Sequence, residues 1–256
     1  MKQIFSTKKQ VAGELDSSVF LLKRIKPTFS EQGEGYFMSG STSAEIEIRK
    51  YAYQLIRKLR LFKSGQIDFQ GYFSVLVKDR RVLQKHKTQA IPIYGKYSID
   101  QSEVADLEKL LSLNLDIPDL LKLAIESFEL AYRTPDLKIR FVLLMMGLES
   151  IFNRSGNDPI QHIISRHLAL TLAESEEGFN KLFIATKRLY QTRSKIVHGN
   201  TDIKEMEKIN LKIINELQEL ESLTRRVIMK LLWMYDFESG TLNKDSLFEY
   251  LNRKGF

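Results

Sequence analysis

The run Phe141-Val142-Leu143-Leu144-Met145-Met146-Gly147-Leu148, followed by Ile151 and Phe152, is apolar on nearly every face of a helix. A helix of that kind has to be covered all round. The run falls far short of the roughly 20 residues that cross a bilayer, so the cover has to come from other helices. It predicts the central member of a helical bundle. One carboxylate, Glu149, sits inside the same helix. A carboxylate at such a depth must be paired or hydrogen-bonded, and the role expected for it is to tie Arg193 or another arginine in place.

The flanking sequence supplies the cover. Asp100 can cap a helix with Glu103 reaching back, followed by Val104, Leu107, Leu110 and Leu111. Asp116 and Pro118 open the next, whose stripe is Leu120, Leu121, Ala124, Ile125, Phe128 and Ala131. Thr134-Pro135 and Asp158-Pro159 each pair a capping side chain with a proline at the first helical position. From Pro159 the stripe is Ile160, Ile163, Ile164, Leu168 and Leu172; from about Glu176 to His198 it is Phe179, Leu182, Phe183, Leu189 and Tyr190. A long helix from about Asp202 to Tyr235 carries one continuous stripe, from Met206 and Ile209 through Ile213, Leu217, Leu220 and Val227 to Leu231. Gly240 ends it, and Asn243 to Arg253 reads as a short tail helix.

Residues 1–97 have a different texture. A helix is expected over about 43–63, stopped by Lys63-Ser64-Gly65. Ile67, Phe69, Phe73, Val75 and Val77 then alternate with polar residues, which is the pattern of a half-buried strand over about 67–78. A second short strand, about 90–94, would be held to an edge by Pro92, and Val19 to Ile25 is a further candidate. Gly35 and Gly40 before Ser41-Thr42 imitate a phosphate-binding loop, but Ser41 stands where the lysine should be, so the segment reads as a plain loop. The expected fold class is mainly α, with a helical bundle over 98–256 preceded by a small α+β unit over 1–97.

The net charge of +7 is unevenly placed: residues 1–100 hold 18 Lys and Arg against 9 Asp and Glu, and residues 101–256 hold 21 against 23. A basic N-terminal unit can attract a polyanion such as RNA without reading its sequence. The absence of cysteine excludes disulfides, a thiol nucleophile and a thiolate metal site. His162 and His167 lie five apart rather than the four that puts two ligands on one face, and read as packing or surface residues. Lys8, Lys9, Glu14 and Asp16 break the N-terminus before a signal-like core can form. A soluble cytoplasmic protein is expected, without membrane contact, metal or other cofactor.

The pattern Arg-x4-His occurs twice. Arg81 to His86 follows the expected strand in an irregular basic segment and is set aside as chance; Arg193 to His198 closes a bundle helix with Gly199 at its stop. An arginine fork can grip phosphoryl oxygens, and a histidine is matched to proton transfer near neutral pH. Positions five apart differ by about 140° around a helix and rise about 7.5 Å, so Arg193 and His198 do not share a stripe. Two copies facing each other would combine them more easily. Ser194 and His198 do share a face, with Lys187, Arg188 and Lys195 as nearby phosphate or RNA contacts. The plainer reading is that Arg193 and His198 only offset the helix dipole and help cap its last carbonyls.

Leu59-Arg60-Leu61-Phe62, Gly147-Leu148-Glu149-Ser150-Ile151-Phe152, and Leu189-Tyr190 running into Arg193-Ser194-Lys195-Ile196-Val197-His198-Gly199 together resemble the Apea-like branch of the HEPN superfamily. The resemblance is firmest over about residues 100–235 and extends back to about residue 45. It implies an all-α HEPN bundle, usually a homodimer, and in many members a metal-independent endoribonuclease. A bacterial defence or toxin-like setting, with a neutralising or regulatory protein partner, goes with it. Carried over residue by residue, the family's Arg is Arg193 and its His is His198, with Tyr190 and Glu149 in support. The position after the Arg, often Asn, Asp or His in the superfamily, is Ser194 here. A serine can hydrogen-bond a phosphate or ribose but cannot act as a charged or imidazole partner. The alternative expectation is a catalytically silent HEPN module that binds RNA, a nucleotide or a protein.

Overall fold

The computed structural model describes residues 30–32, 35–37, 40–65, 67, 71–76, 81–87, 97–112, 117–153, 159–198, 206–238 and 242–254. The strands expected at Val19 to Ile25 and at 90–94, and the caps Asp116 and Asp158, lie outside the described residues. Contacts divide the chain into two compact units, Met1–Tyr53 and Gln54–Phe256. That division falls inside the first helix, not at the 97/98 step in charge.

In the smaller unit, strand β1 (Ser30–Gln32) pairs antiparallel with β2 (Gly35–Phe37), and helix α1 (Gly40–Phe62) begins. The stretch containing Gly35 and Gly40, expected as a loop, is therefore strand and helix: Gly35 pairs with Gln32 and Gly40 opens α1. The helical periodicity that starts at Ile48 extends upstream through Ser41, Thr42 and Ser43, residue types at home near helix starts.

In the larger unit, β3 (Gly71–Leu76) pairs antiparallel with β4 (Arg81–Lys87), from Gly71 opposite Lys87 to Leu76 opposite Arg81, with a register shift at Ser74/Val75. β3 falls within the strand expected over 67–78. β4 corrects the reading of Arg81 to His86 as irregular. Its basic side chains hide any apolar alternation, while the backbone ladder with β3 is indifferent to them, as strand formation generally follows context more than propensity.

A 3-10 turn (Gln101–Glu103) leads into α2 (Val104–Ser112), and then follow α3 (Asp119–Arg133), α4 (Leu137–Phe152), α5 (Ile160–Leu172), α6 (Glu176–His198), α7 (Met206–Glu238) and α8 (Lys244–Arg253). The described chain is mainly helical. At its entry, Asp100 N–H donates to Glu103 Oε2 at 2.9 Å, and Lys63 Nζ pairs with the same carboxylate at 2.8 Å, the reciprocal cap expected. Gly65, at φ +150°, lies so close to Tyr97 that a Cβ there would sit 2.8 Å from Tyr97 Cα. The Tyr97 hydroxyl donates to Leu59 O at 2.9 Å and so closes the end of α1.

α4 is the centre of the bundle and packs on α3, α5, α6 and α7. Phe141, Leu144, Met145, Leu148, Ile151 and Phe152 are buried. Among the described residues the cover is not complete, since Ile139 and Met146 are exposed. Gly147 allows the tightest approach, since a Cβ would meet Ala124 O at 3.3 Å.

The α3–α4 turn corrects the expected cap. Asp136 closes the start of α4, its Oδ1 accepting from Lys138 N–H and Ile139 N–H at 2.9 Å each. Thr134 instead ends α3, its hydroxyl donating to Leu130 O at 2.8 Å. A carboxylate is the stronger partner for helix N–H donors, so the boundary moves past Pro135. Arg140, although 1% exposed, is satisfied by this turn, with Nε donating to Thr134 O at 2.5 Å and Nη2 to Tyr132 O at 2.9 Å. Pro159 likewise takes the cap position of α5 rather than its first turn.

α7 buries the expected stripe positions Ile213, Leu217, Leu220, Val227 and Leu231, and beside them also Glu221, Thr224 and Arg225. Thr224 donates its hydroxyl to Leu220 O at 2.8 Å, while Glu221 and Arg225 belong to a polar cluster. Tyr132 hydroxyl donates to Glu221 Oε1 at 2.6 Å, Arg225 Nη2 donates to Tyr132 Oη at 2.9 Å and also pairs with Glu221 Oε1, and Arg225 Nε donates to Arg60 O at 2.8 Å. The cluster ties α7 to α3 and to the end of α1. Among the described residues no helix is long and apolar enough to cross a membrane.

Candidate functional site

α6 carries the motif because its sequence is amphipathic and correctly polarised. Thr186 and Leu189 are buried, while Phe179, Leu182, Tyr190 and Ile196 pack against the core. Glu176 and Glu177 open the helix and Lys195 and His198 close it, the charge order that suits a helix dipole.

The structure brings three of the expected residues together. Arg193 Nη2 lies 3.6 Å from Glu149 Oε1 of α4, and the Arg193 guanidinium lies 5.7 Å from the centre of the Tyr190 ring. Their side chains are sheltered, Arg193 at 27% and Glu149 at 19% exposure. At 3.6 Å the pair attracts without a hydrogen bond, and both Glu149 Oε1 and Arg193 Nε are buried without a hydrogen-bond partner among the described residues. Burial pushes the Glu149 carboxyl above the usual carboxylate range, and Arg193 only partly offsets this. The Tyr190 hydroxyl is raised by burial, with the Glu149 charge adding to the shift. Arg193 is therefore a guanidinium held by a ring face and a carboxylate, with donor capacity left in a partly dry setting. A phosphoryl oxygen placed there would gain a charge-assisted bond stronger than one in open water.

His198 is the last residue of α6 and is exposed, as is Val197, at 50%. No described hydrogen bond or ion pair joins His198 to Arg193, which agrees with the angle of about 140° between positions five apart. Ser194, half-buried, sits on the His198 side, and Lys187 and Lys195 are exposed. Lys187 also accepts at its backbone carbonyl from Gln161 Nε2 at 2.9 Å. Arg188 is engaged elsewhere: it pairs with Glu219 and, at 3.8 Å, with Glu216, joining α6 to α7.

His167 and His162 both meet aromatic rings. His167 stands between Phe152 and Phe248, with ring centres at 6.3 and 4.7 Å, and burial holds its pKa down to about 4, helped by the nearby Arg166 charge. His162 is exposed and sets its edge against Phe183 at 5.5 Å. Arg81 and His86 lie at either end of β4, opposite Leu76 and Tyr72.

Two features escape the motif-based reading. The buried Glu221/Arg225 pair was detectable as a carboxylate and a guanidinium four apart inside an apolar stripe. The surroundings of Trp233, the one tryptophan of the chain, were not, because they are assembled from four separate helices and the chain end. Comparison with protein-family models, with curated proteins and with solved structures returns no match for this chain.

Proposed function

We propose that the chain is a HEPN-type, metal-independent endoribonuclease that acts as a homodimer, with His198 as general acid/base and Arg193 as phosphate clamp. The observation that carries this reading is the sheltered Arg193, steadied by Tyr190 and Glu149, one turn before an exposed His198 at a helix end. RNA brings its own nucleophile. The 2′-OH loses its proton to His198 and attacks the adjacent phosphorus; the bond to the 5′-oxygen breaks, and that oxygen takes a proton. The products are a 2′,3′-cyclic phosphate and a 5′-hydroxyl. Positioned proton transfer of this kind contributes typically 10²–10⁴-fold, and Arg193 offsets charge on the phosphoryl oxygens. No step needs a metal.

Because Arg193 and His198 face about 140° apart, the reading combines Arg193 of one protomer with His198 of the other. The exposed Val197 beside His198 supports a second chain covering that end of α6. Lys187 and Lys195 would flank the RNA backbone, with Ser194 as a neutral hydrogen-bonding partner to phosphate or ribose. A defence or toxin-like role, checked by a neutralising or regulatory protein, follows from such an activity in the cytoplasm. The second reading, a non-catalytic module that binds RNA, a nucleotide or a protein partner, is favoured by Ser194 alone.

Expression of wild type beside His198→Ala in a bacterial host, following growth and total RNA, tests the reading. Arrested growth with RNA fragmentation only in the wild type supports it. Equal growth with intact RNA in both leaves the binding module.

A further inference from the structure

Metal-free cleavage of RNA moves two protons, one off the 2′-OH and one onto the departing 5′-oxygen. His198 accounts for the first, and it stands about 140° around α6 from Arg193. Inside one chain, the acid that meets Arg193 is Glu149 of α4.

Its setting equips it for the second proton. Glu149 lies on the central helix, three residues on from Met146, with a side chain 19% exposed. Its Oε1 stands 3.6 Å from Arg193 Nη2 and has no hydrogen-bond partner among the described residues, and Arg193 Nε likewise has none. Drawing the guanidinium onto a phosphate therefore gives up no hydrogen bond within the pair. A substrate oxygen about 2.8 Å from Nη2 and about 2.6 Å from Oε1 closes a triangle on that edge, both lengths being those of charge-assisted bonds. The scissile group can thus meet the fork and the carboxyl together.

The charges favour the same role. Glu149 is faced by Arg193 and Tyr190, both of α6. Burial raises its carboxyl, and Arg193 offsets this in part. The Tyr190 hydroxyl, itself raised by burial, stays neutral and supplies no second cation. A bound phosphate takes over Arg193 and sets its own negative charge beside the carboxylate. Both changes drive a proton onto Glu149.

We infer that Glu149 is the general acid of the reaction, giving its carboxyl proton to the departing 5′-oxygen. The inference rests on the nuclease reading above. His198 takes the 2′-OH proton as the bond from the 2′-oxygen to phosphorus forms. The electron pair of the breaking bond from phosphorus to the 5′-oxygen takes the proton of Glu149, which leaves a carboxylate beside Arg193. Water then carries the proton on His198 back to Glu149, and both groups return to their starting states.

An alkoxide needs that proton to leave, whereas a thiolate does not, since a thiol ionises near about 8.5. The test uses full-length protein in EDTA and two oligouridylates, identical except that in one a sulfur replaces the bridging 5′-oxygen of a single linkage. Glu149→Gln keeps the size of the side chain but has no acidic proton. It should cleave the all-oxygen linkage at least about a hundredfold more slowly than the wild type, and the sulfur linkage at close to the wild-type rate. Wild-type cleavage of the all-oxygen RNA should fall with rising pH above its optimum, as Glu149 loses its proton, and that fall should vanish in Glu149→Gln. Glu149→Asp, which retains a carboxyl, should recover part of the rate and the fall with it. His198→Ala should be slow on both linkages. A Glu149→Gln protein with wild-type circular dichroism that is equally impaired on both linkages, or unimpaired on the all-oxygen one, overturns the inference and leaves the nuclease reading standing. A wild type that cleaves neither overturns the nuclease reading, and the inference with it.

Discussion

Arg193 is useful at the residue scale because its surroundings limit what can replace it. Lysine keeps the charge but not the planar fork, so Arg193→Lys should lower RNA cleavage by at least about tenfold, the worth of one lost charge-assisted contact, while the melting temperature stays close to that of the wild type. Steady-state cleavage beside a thermal melt checks both halves. His167 gives a pH dependence. Its ring takes a proton at 6.5 ordinarily but only at about 4 when buried, so between those values the unfolded chain binds a proton that the folded chain does not. Stability is therefore complete above pH 6.5 and is lost as pH falls toward 4, by on the order of 2 kcal/mol after allowance for partial solvent screening. Urea unfolding at pH 7 and pH 4.5 should show this loss in the wild type and less of it in His167→Leu. The spacing of His167 from His162 argued only against a metal pair and left packing and surface roles equally open. Its two aromatic neighbours were not legible, since Phe248 is far away in sequence.

At the scale of elements, helices were the readable part. α6 and α8 fall where periodicity and capping residues put them, because a surface helix writes its buried face into the sequence at steps of three and four. Boundaries next to proline were read one or two positions early, since Thr134 and Asp136 compete for the same cap and only the folded turn shows which carboxylate or hydroxyl meets the free N–H groups. β4 was missed for a different reason: its pairing lies in the backbone ladder with β3, which basic side chains do not announce. The Glu221/Arg225 pair carries the sharpest prediction here. Arg225→Leu leaves Glu221 buried without its cation and should cost about 3–5 kcal/mol, whereas Arg225→Leu with Glu221→Leu should recover most of it. Denaturant titration of the two variants decides between a structural pair and an incidental one. Gly147→Leu should also destabilise, by about 1–3 kcal/mol or more, as side-chain atoms are forced into the backbone of Ala124.

For the molecule as a whole, the candidate chemistry depends on two copies meeting at the ends of their α6 helices. Arg193→Ala and His198→Ala proteins, each inactive, should regain about a quarter of wild-type cleavage when mixed and allowed to exchange. Half of the dimers are then mixed, and each has one intact composite site of its two, as closed two-fold symmetry requires. No recovery in exchanged dimers would place Arg193 and His198 of one site on the same chain. A homodimer was expected from the resemblance alone, because no periodicity in the sequence marks where two copies would meet beyond exposed residues such as Val197. The central claim, that Arg193 and His198 cleave RNA without a metal, is met most directly by incubating purified protein with single-stranded RNA in EDTA and identifying the new ends. The expected result is fragments ending in 2′,3′-cyclic phosphate and 5′-hydroxyl, reduced at least about a hundredfold in His198→Ala. Intact RNA with the wild-type protein, or the same fragments at the same rate from His198→Ala, would contradict it.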